Sequence, residues 1–98
     1  MAQVEILSEQ ETAGGWSFQM QVLDDRSALR QHQITLSWAD YNLWSPDGTD
    51  EPARVAEAVL GFLLSRRPAG KIRQSFNAAS VRRWFADADE QIPPLIAR

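Results

Sequence analysis

Ninety-eight residues are enough for one hydrophobic core but not two, and 44% apolar with 23% charged residues is a globular composition. The absence of cysteine excludes disulfides, thiolate metal sites and cysteine nucleophiles. The net charge of −3 divides unevenly. Residues 1–48 sum to −5 and residues 49–98 to +2, with bases gathered at Arg66, Arg67, Lys71, Arg73, Arg82 and Arg83.

From Gln3 to Trp38 the apolar period is two. Val4 and Ile6 alternate with Gln3 and Glu5; Trp16, Phe18, Met20 and Val22 alternate with Ser17, Gln19 and Gln21. His32, Ile34, Leu36 and Trp38 alternate with Gln31, Gln33, Thr35 and Ser37. Such alternation predicts antiparallel strands with one buried and one wet face. Thr12-Ala13-Gly14-Gly15 and Asp24-Asp25-Arg26-Ser27 have turn compositions between them. Keeping apolar residues opposite one another predicts a three-stranded meander over residues 1–38 with the Trp16 strand central. The expected pairs are Val22 with His32, Met20 with Ile34, Phe18 with Leu36, Trp16 with Trp38, Phe18 with Ile6 and Met20 with Val4.

Residues 39–51 read as a turn and loop. Ala39 to Trp44 make one helical turn, and Ser45-Pro46-Asp47-Gly48 make a reverse turn. The central element is a helix over residues 52–67, PARVAEAVLGFLLSRR. On a helical wheel Val55, Ala56, Val59, Leu60, Phe62, Leu63 and Leu64 cover an arc of roughly 200°, leaving Arg54, Glu57, Gly61 and Ser65 as a polar stripe. So much apolar surface needs partners on two sides. Thr49 or Asp50 is the expected N-cap, Pro52 suits the first turn, Arg66 and Arg67 suit the last, and Pro68 and Gly70 stop the helix. Beyond, residues 71–98 predict short helices and a proline-containing tail. Asn77 is a candidate cap for residues 78–86, and Pro93 and Pro94 bar helix at the end.

The segment FLLSRRPAGKIRQSFNAASVRRWF, residues 62–85, resembles the C-terminal half of a family of small uncharacterised bacterial proteins. These pair a short β-rich N-terminal half with a pattern of FLL, a charged pair, Pro, Ile, Ser-Phe, Asp or Asn, and an aromatic-Phe pair. Tyr41 sits where those proteins place a Tyr before the helix. The resemblance implies a stand-alone intracellular bacterial domain and brings no activity with it.

Residue chemistry narrows the candidates. His32 is the sole histidine, excluding multi-histidine metal sites and paired imidazoles; on the inner face of a strand it reads as a packed edge residue. The acids Asp47, Asp50 and Glu51 suit a helix start, and Asp87, Asp89 and Glu90 lack the glycine and terminal acid of a calcium loop. Gly70-Lys71 lacks the remaining glycine and hydroxyl of a phosphate loop. Trp38 reads as a core plug and Trp44 as the exposed aromatic beside the Pro46–Gly48 turn.

The sequence thus predicts one α+β domain over residues 1–98: a three-stranded antiparallel meander packed on one central helix, with short C-terminal helices. The leading functional expectation is a small non-catalytic protein-interaction module, able to homodimerise because a three-stranded sheet has two open edges and no proline in any predicted strand. A second is an anion or nucleic-acid binder using Arg66, Arg67, Lys71, Arg73, Arg82 and Arg83, and a third is an enzyme or small-molecule site near His32 or Trp44. Catalytic, cofactor and metal residues are expected to be none. The longest apolar run, seven residues including Gly61, is short of the roughly 20 that cross a bilayer, and MAQVEILSEQE lacks signal-peptide order, so a cytoplasmic protein is the default expectation.

Overall fold

A computed structural model describes residues 3–23 and 28–96. The fold is α+β: a four-stranded mixed sheet and four helices. In chain order these are β1 (Gln3–Thr12), β2 (Gly15–Leu23), β3 (Leu29–Ser37), α1 (Trp38–Trp44), α2 (Pro52–Arg66), a 3₁₀ turn (Ala69–Lys71), β4 (Ser75–Asn77), α3 (Ala79–Trp84) and α4 (Ala88–Ile96). Strand order is β1-β2-β3-β4. The antiparallel meander is present, but β4 adds a fourth strand, parallel to β3, where short helix was expected. Its three residues place Phe76 between Ile34 and the helical layer. The Gln33 N–H donates to the Gln74 carbonyl (2.7 Å) and the Ala78 N–H to the Thr35 carbonyl (2.8 Å). Phe76 lies four residues from Ile72, a helical spacing that a three-residue strand is too short to contradict.

The strand registers slip by two from the expected ones. Met20 pairs with His32, Phe18 with Ile34 and Trp16 with Leu36; on the other side Ile6 pairs with Met20 and Val4 with Val22. A two-residue slip leaves every side chain on its face, so alternation alone cannot detect it. Turn geometry decides instead. The first hairpin closes tightly at Thr12 and Gly15, and a Cβ on Gly15 would fall 2.0 Å from the Leu36 carbonyl oxygen, so only glycine admits β3 there. A register shift between Ile6 and Ser8 makes Leu7 the extra residue of a β-bulge. The turn expected at Asp24-Asp25-Arg26-Ser27 lies outside the described residues.

Helix α2 packs on β1, β2 and β3 with one side and on α4 with the other, burying Val55, Ala56, Ala58, Val59, Leu60, Phe62 and Leu63. Burial on that scale contributes about 2 kcal/mol per large side chain, which explains why a central helix holds its place with a glycine inside it. Its N-cap is Glu51, which makes no side-chain cap bond. The expected cap residues are engaged elsewhere: the Asp50 carboxylate accepts from the Ser45 hydroxyl (2.7 Å) and Thr49 donates to Asp47. Ser45 to Gly48 form the expected turn, closed by the Gly48 N–H on the Ser45 carbonyl (3.0 Å) with Gly48 at φ +67°. The cap position of α3 is Ala78 rather than the expected Asn77, whose Oδ1 nonetheless accepts from the Ala79 N–H (2.9 Å) beside the helix start.

Helix α4 corrects the expectation for the tail. It runs through Pro93 and Pro94 to Ile96. Those prolines delete the bonds to the carbonyls of Asp89 and Glu90, both on exposed residues that water can reach, while Ala88, Ile92 and Ile96 bury one face. Burial of that stripe outweighs two missing backbone bonds.

Candidate functional site

The six bases make different contacts, though Arg66 and Arg67 both lie over the Phe85 ring. Arg66 pairs with Asp87, with its guanidinium 4.8 Å from the Phe62 ring centroid. Arg67 lies over Phe85 (4.9 Å) and Arg73 over Trp84 (5.9 Å). Arg83 donates to the Ser80 hydroxyl, and Lys71 ends the 3₁₀ turn on the surface. Arg82 turns inward. Its Nη2 donates to Asp40 (2.8 Å) and its Nε to Asp89 (2.8 Å), and its guanidinium covers the Trp44 ring at 5.1 Å. Two of the six bases, Arg66 and Arg82, are therefore committed to intramolecular carboxylates.

Asp40 is the member that the sequence did not disclose. It lies in the first turn of α1, 6% exposed, where the Ser37 hydroxyl donates to one of its oxygens and accepts from its own N–H. Ser37-x-x-Asp40 is a capping arrangement that could have been noticed. Its counter-ion, 42 positions away, could not. Asp89 completes the hub: it accepts from Arg82 and from the Trp44 indole N–H (2.9 Å). Burial pushes its carboxyl up, but the bonds from Arg82 and Trp44 outweigh that and hold it below the usual carboxylate range. Burial likewise works against the charged form of Arg82, and the two carboxylates more than restore it.

The two tryptophan expectations exchange places. Trp44 is 2% exposed and Trp38 is 49% exposed. A spacing of six residues puts them about 120° apart on a helix, so they cannot share a face; the core takes Asp40, Tyr41 and Trp44. Trp38 instead stacks outside Trp16 (4.4 Å between centroids) and meets Tyr41 edge-on at 6.2 Å, with its N–H on the Gly14 carbonyl (3.0 Å). Leu43 in α1 is also exposed.

His32 is 3% exposed, and its Nδ1 bonds the Arg73 carbonyl at 2.8 Å, tying β3 to the chain entering β4. Because a carbonyl only accepts, Nδ1 is the donor in that bond. Nε2 is buried without a partner. The polar stripe of α2 lines a groove of about 720 Å³ with Val4 and Leu95. Among the described residues no group of three or more His, Cys, Asp or Glu is arranged to hold a metal ion.

The sheet ends in two edge strands, β1 and the three-residue β4, of which β1 is the longer. Residues 7–12 are exposed on both faces, while their partners Trp16 and Phe18 in β2 are buried. Up to Ile6 the even residues face the core. Past the bulge at Leu7 the phase inverts, so Glu9 stands opposite Phe18 and Glu11 opposite Trp16. Two carboxylates thus project from the core-side face where helical cover has ended. Uninterrupted alternation would have put Ser8 and Gln10 there, and no feature of the sequence marks the bulge.

Comparisons with protein-family models, with curated proteins and with solved structures return no match to this chain. Among the described residues no helix is long and apolar enough to cross a membrane.

Proposed function

We propose that the chain is a small non-catalytic interaction module that receives a protein partner along the free edge of β1. The supporting observation is that this ten-residue strand ends the sheet, contains no proline, and has residues 7–12 exposed on both faces. A backbone edge of that length offers N–H and C=O groups to an added strand. A photo-crosslinker placed at Gln10 should give partner adducts in extracts of the native cells, and one placed at the α2 position Glu57 should not. Equal yields from both positions would sink the edge reading. The homodimeric form of the idea is tested by light scattering over rising concentration, where a strict monomer removes it.

A second reading, an anion or nucleic-acid binder, draws support from Arg67, Lys71, Arg73 and Arg83, all exposed and all from the half of the chain that sums to +2. It predicts salt-sensitive retention on heparin, weakened by Arg83→Ala. Arg82 is unsuited to that test, since its loss would disturb the fold.

A further inference from the structure

The bulge in β1 does more than bend an edge strand. It moves Glu9 and Glu11 onto the core-side face, opposite Phe18 and Trp16. We propose that the strand received by β1 is a basic one: an extended segment with Lys or Arg at alternate positions, whose cations meet Glu9 and Glu11. This deepens the β1-edge reading and rests on it.

Three observations support it. First, β1 carries Glu5, Glu9 and Glu11 and no base, so two β1 strands laid together would gather six carboxylates with no counter-charge. Like charges opposed across strands destabilise pairing, which turns the edge away from a second copy of itself. Second, Glu9 and Glu11 are two apart on one face, the spacing at which an added strand presents alternate side chains to that face. Third, residues 7–12 of β1 are all exposed, so both carboxylates are open to an incoming cation.

The test uses three nine-residue peptides that alternate threonine with lysine, with glutamate, or with serine. Amide shifts and hydrogen exchange in the intact chain serve as the readout. The lysine peptide should protect β1 amides, bind about tenfold more weakly when salt rises from 50 to 300 mM, and lose comparable affinity to the Glu9→Gln/Glu11→Gln chain. Thermal melting of that variant should match the parent, since both side chains are exposed. Charge reversal, Glu9→Lys/Glu11→Lys, should transfer the preference to the glutamate peptide. If the serine or glutamate peptide protects β1 equally well, or the chain self-associates through β1, the edge reading stands and the basic partner is overturned. Should the lysine peptide bind only away from β1, or should none of the three touch β1 and no self-association occur, both are overturned.

Discussion

Arg82 serves three neighbours with one guanidinium: a buried carboxylate, an exposed one and an indole face. Removing it leaves Asp40 charged and enclosed, with the Ser37 hydroxyl as its remaining side-chain donor among the described residues. Breaking a fully buried pair costs about 3–5 kcal/mol, and the partial exposure of Arg82 lowers the figure. We expect Arg82→Ala to lose about 2–3 kcal/mol in urea denaturation with an unchanged m-value, and Arg83→Ala to stay within about 0.5 kcal/mol. Similar losses from both would mean that Asp40 does not depend on Arg82. Proximity along the chain groups arginines 82 and 83, but the helix turns one inward and the other to solvent.

At the level of elements, the alternating strands, the long apolar helix and its two packing surfaces were legible, because each is written in a local period. What was not legible depends on distant backbone. The β4 pairing, the two-residue slips and the bulge are decided by turn closure and by segments meeting across the fold. Gly15 shows the difference. Sequence marks it only as part of a turn, whereas the structure makes it the point where β3 touches β2. Gly15→Ala should cost about 2 kcal/mol or more by thermal melting, and Gly14→Ala, with nothing within 4 Å of its Cβ position, should stay within about 1 kcal/mol. The phase of α1 can be checked in the same spirit. Acrylamide should quench less of the total tryptophan emission in Trp38→Phe than in the parent, and removing Trp44 should leave the quenchable emission in place. The reverse result would restore the exposed Trp44 that sequence suggested.

For the molecule as a whole, acid is the informative stress. The bond from Arg66 holds Asp87 below its usual carboxylate range, and Asp89 is held low against its own burial. As the pH falls, the unfolded chain takes up protons at these groups before the folded one does. Their contribution is therefore complete above about pH 4 and drains away below it, through the lower folded values. Urea midpoints should be level from pH 7 to 5 and fall towards pH 3; a level midpoint down to pH 3 would remove the two pairs as contributors. The candidate site divides along similar lines. That the meander has open edges could be read in advance, while the inversion that sets Glu9 opposite Phe18 and Glu11 opposite Trp16 required the register.

The parallel junction of β3 with β4 has a consequence for how the chain assembles. Residues paired there stand 42 positions apart, separated by both α1 and α2. As the chain leaves the ribosome, the meander can form early, yet the second edge of its sheet stays uncovered until Ser75–Asn77 arrive. During that interval Ile34 lacks its neighbour Phe76, and β3 is open to strands from other nascent chains. The three residues of β4 are thus a closing latch, and slow translation between α2 and β4 would lengthen the time for which aggregation competes with folding.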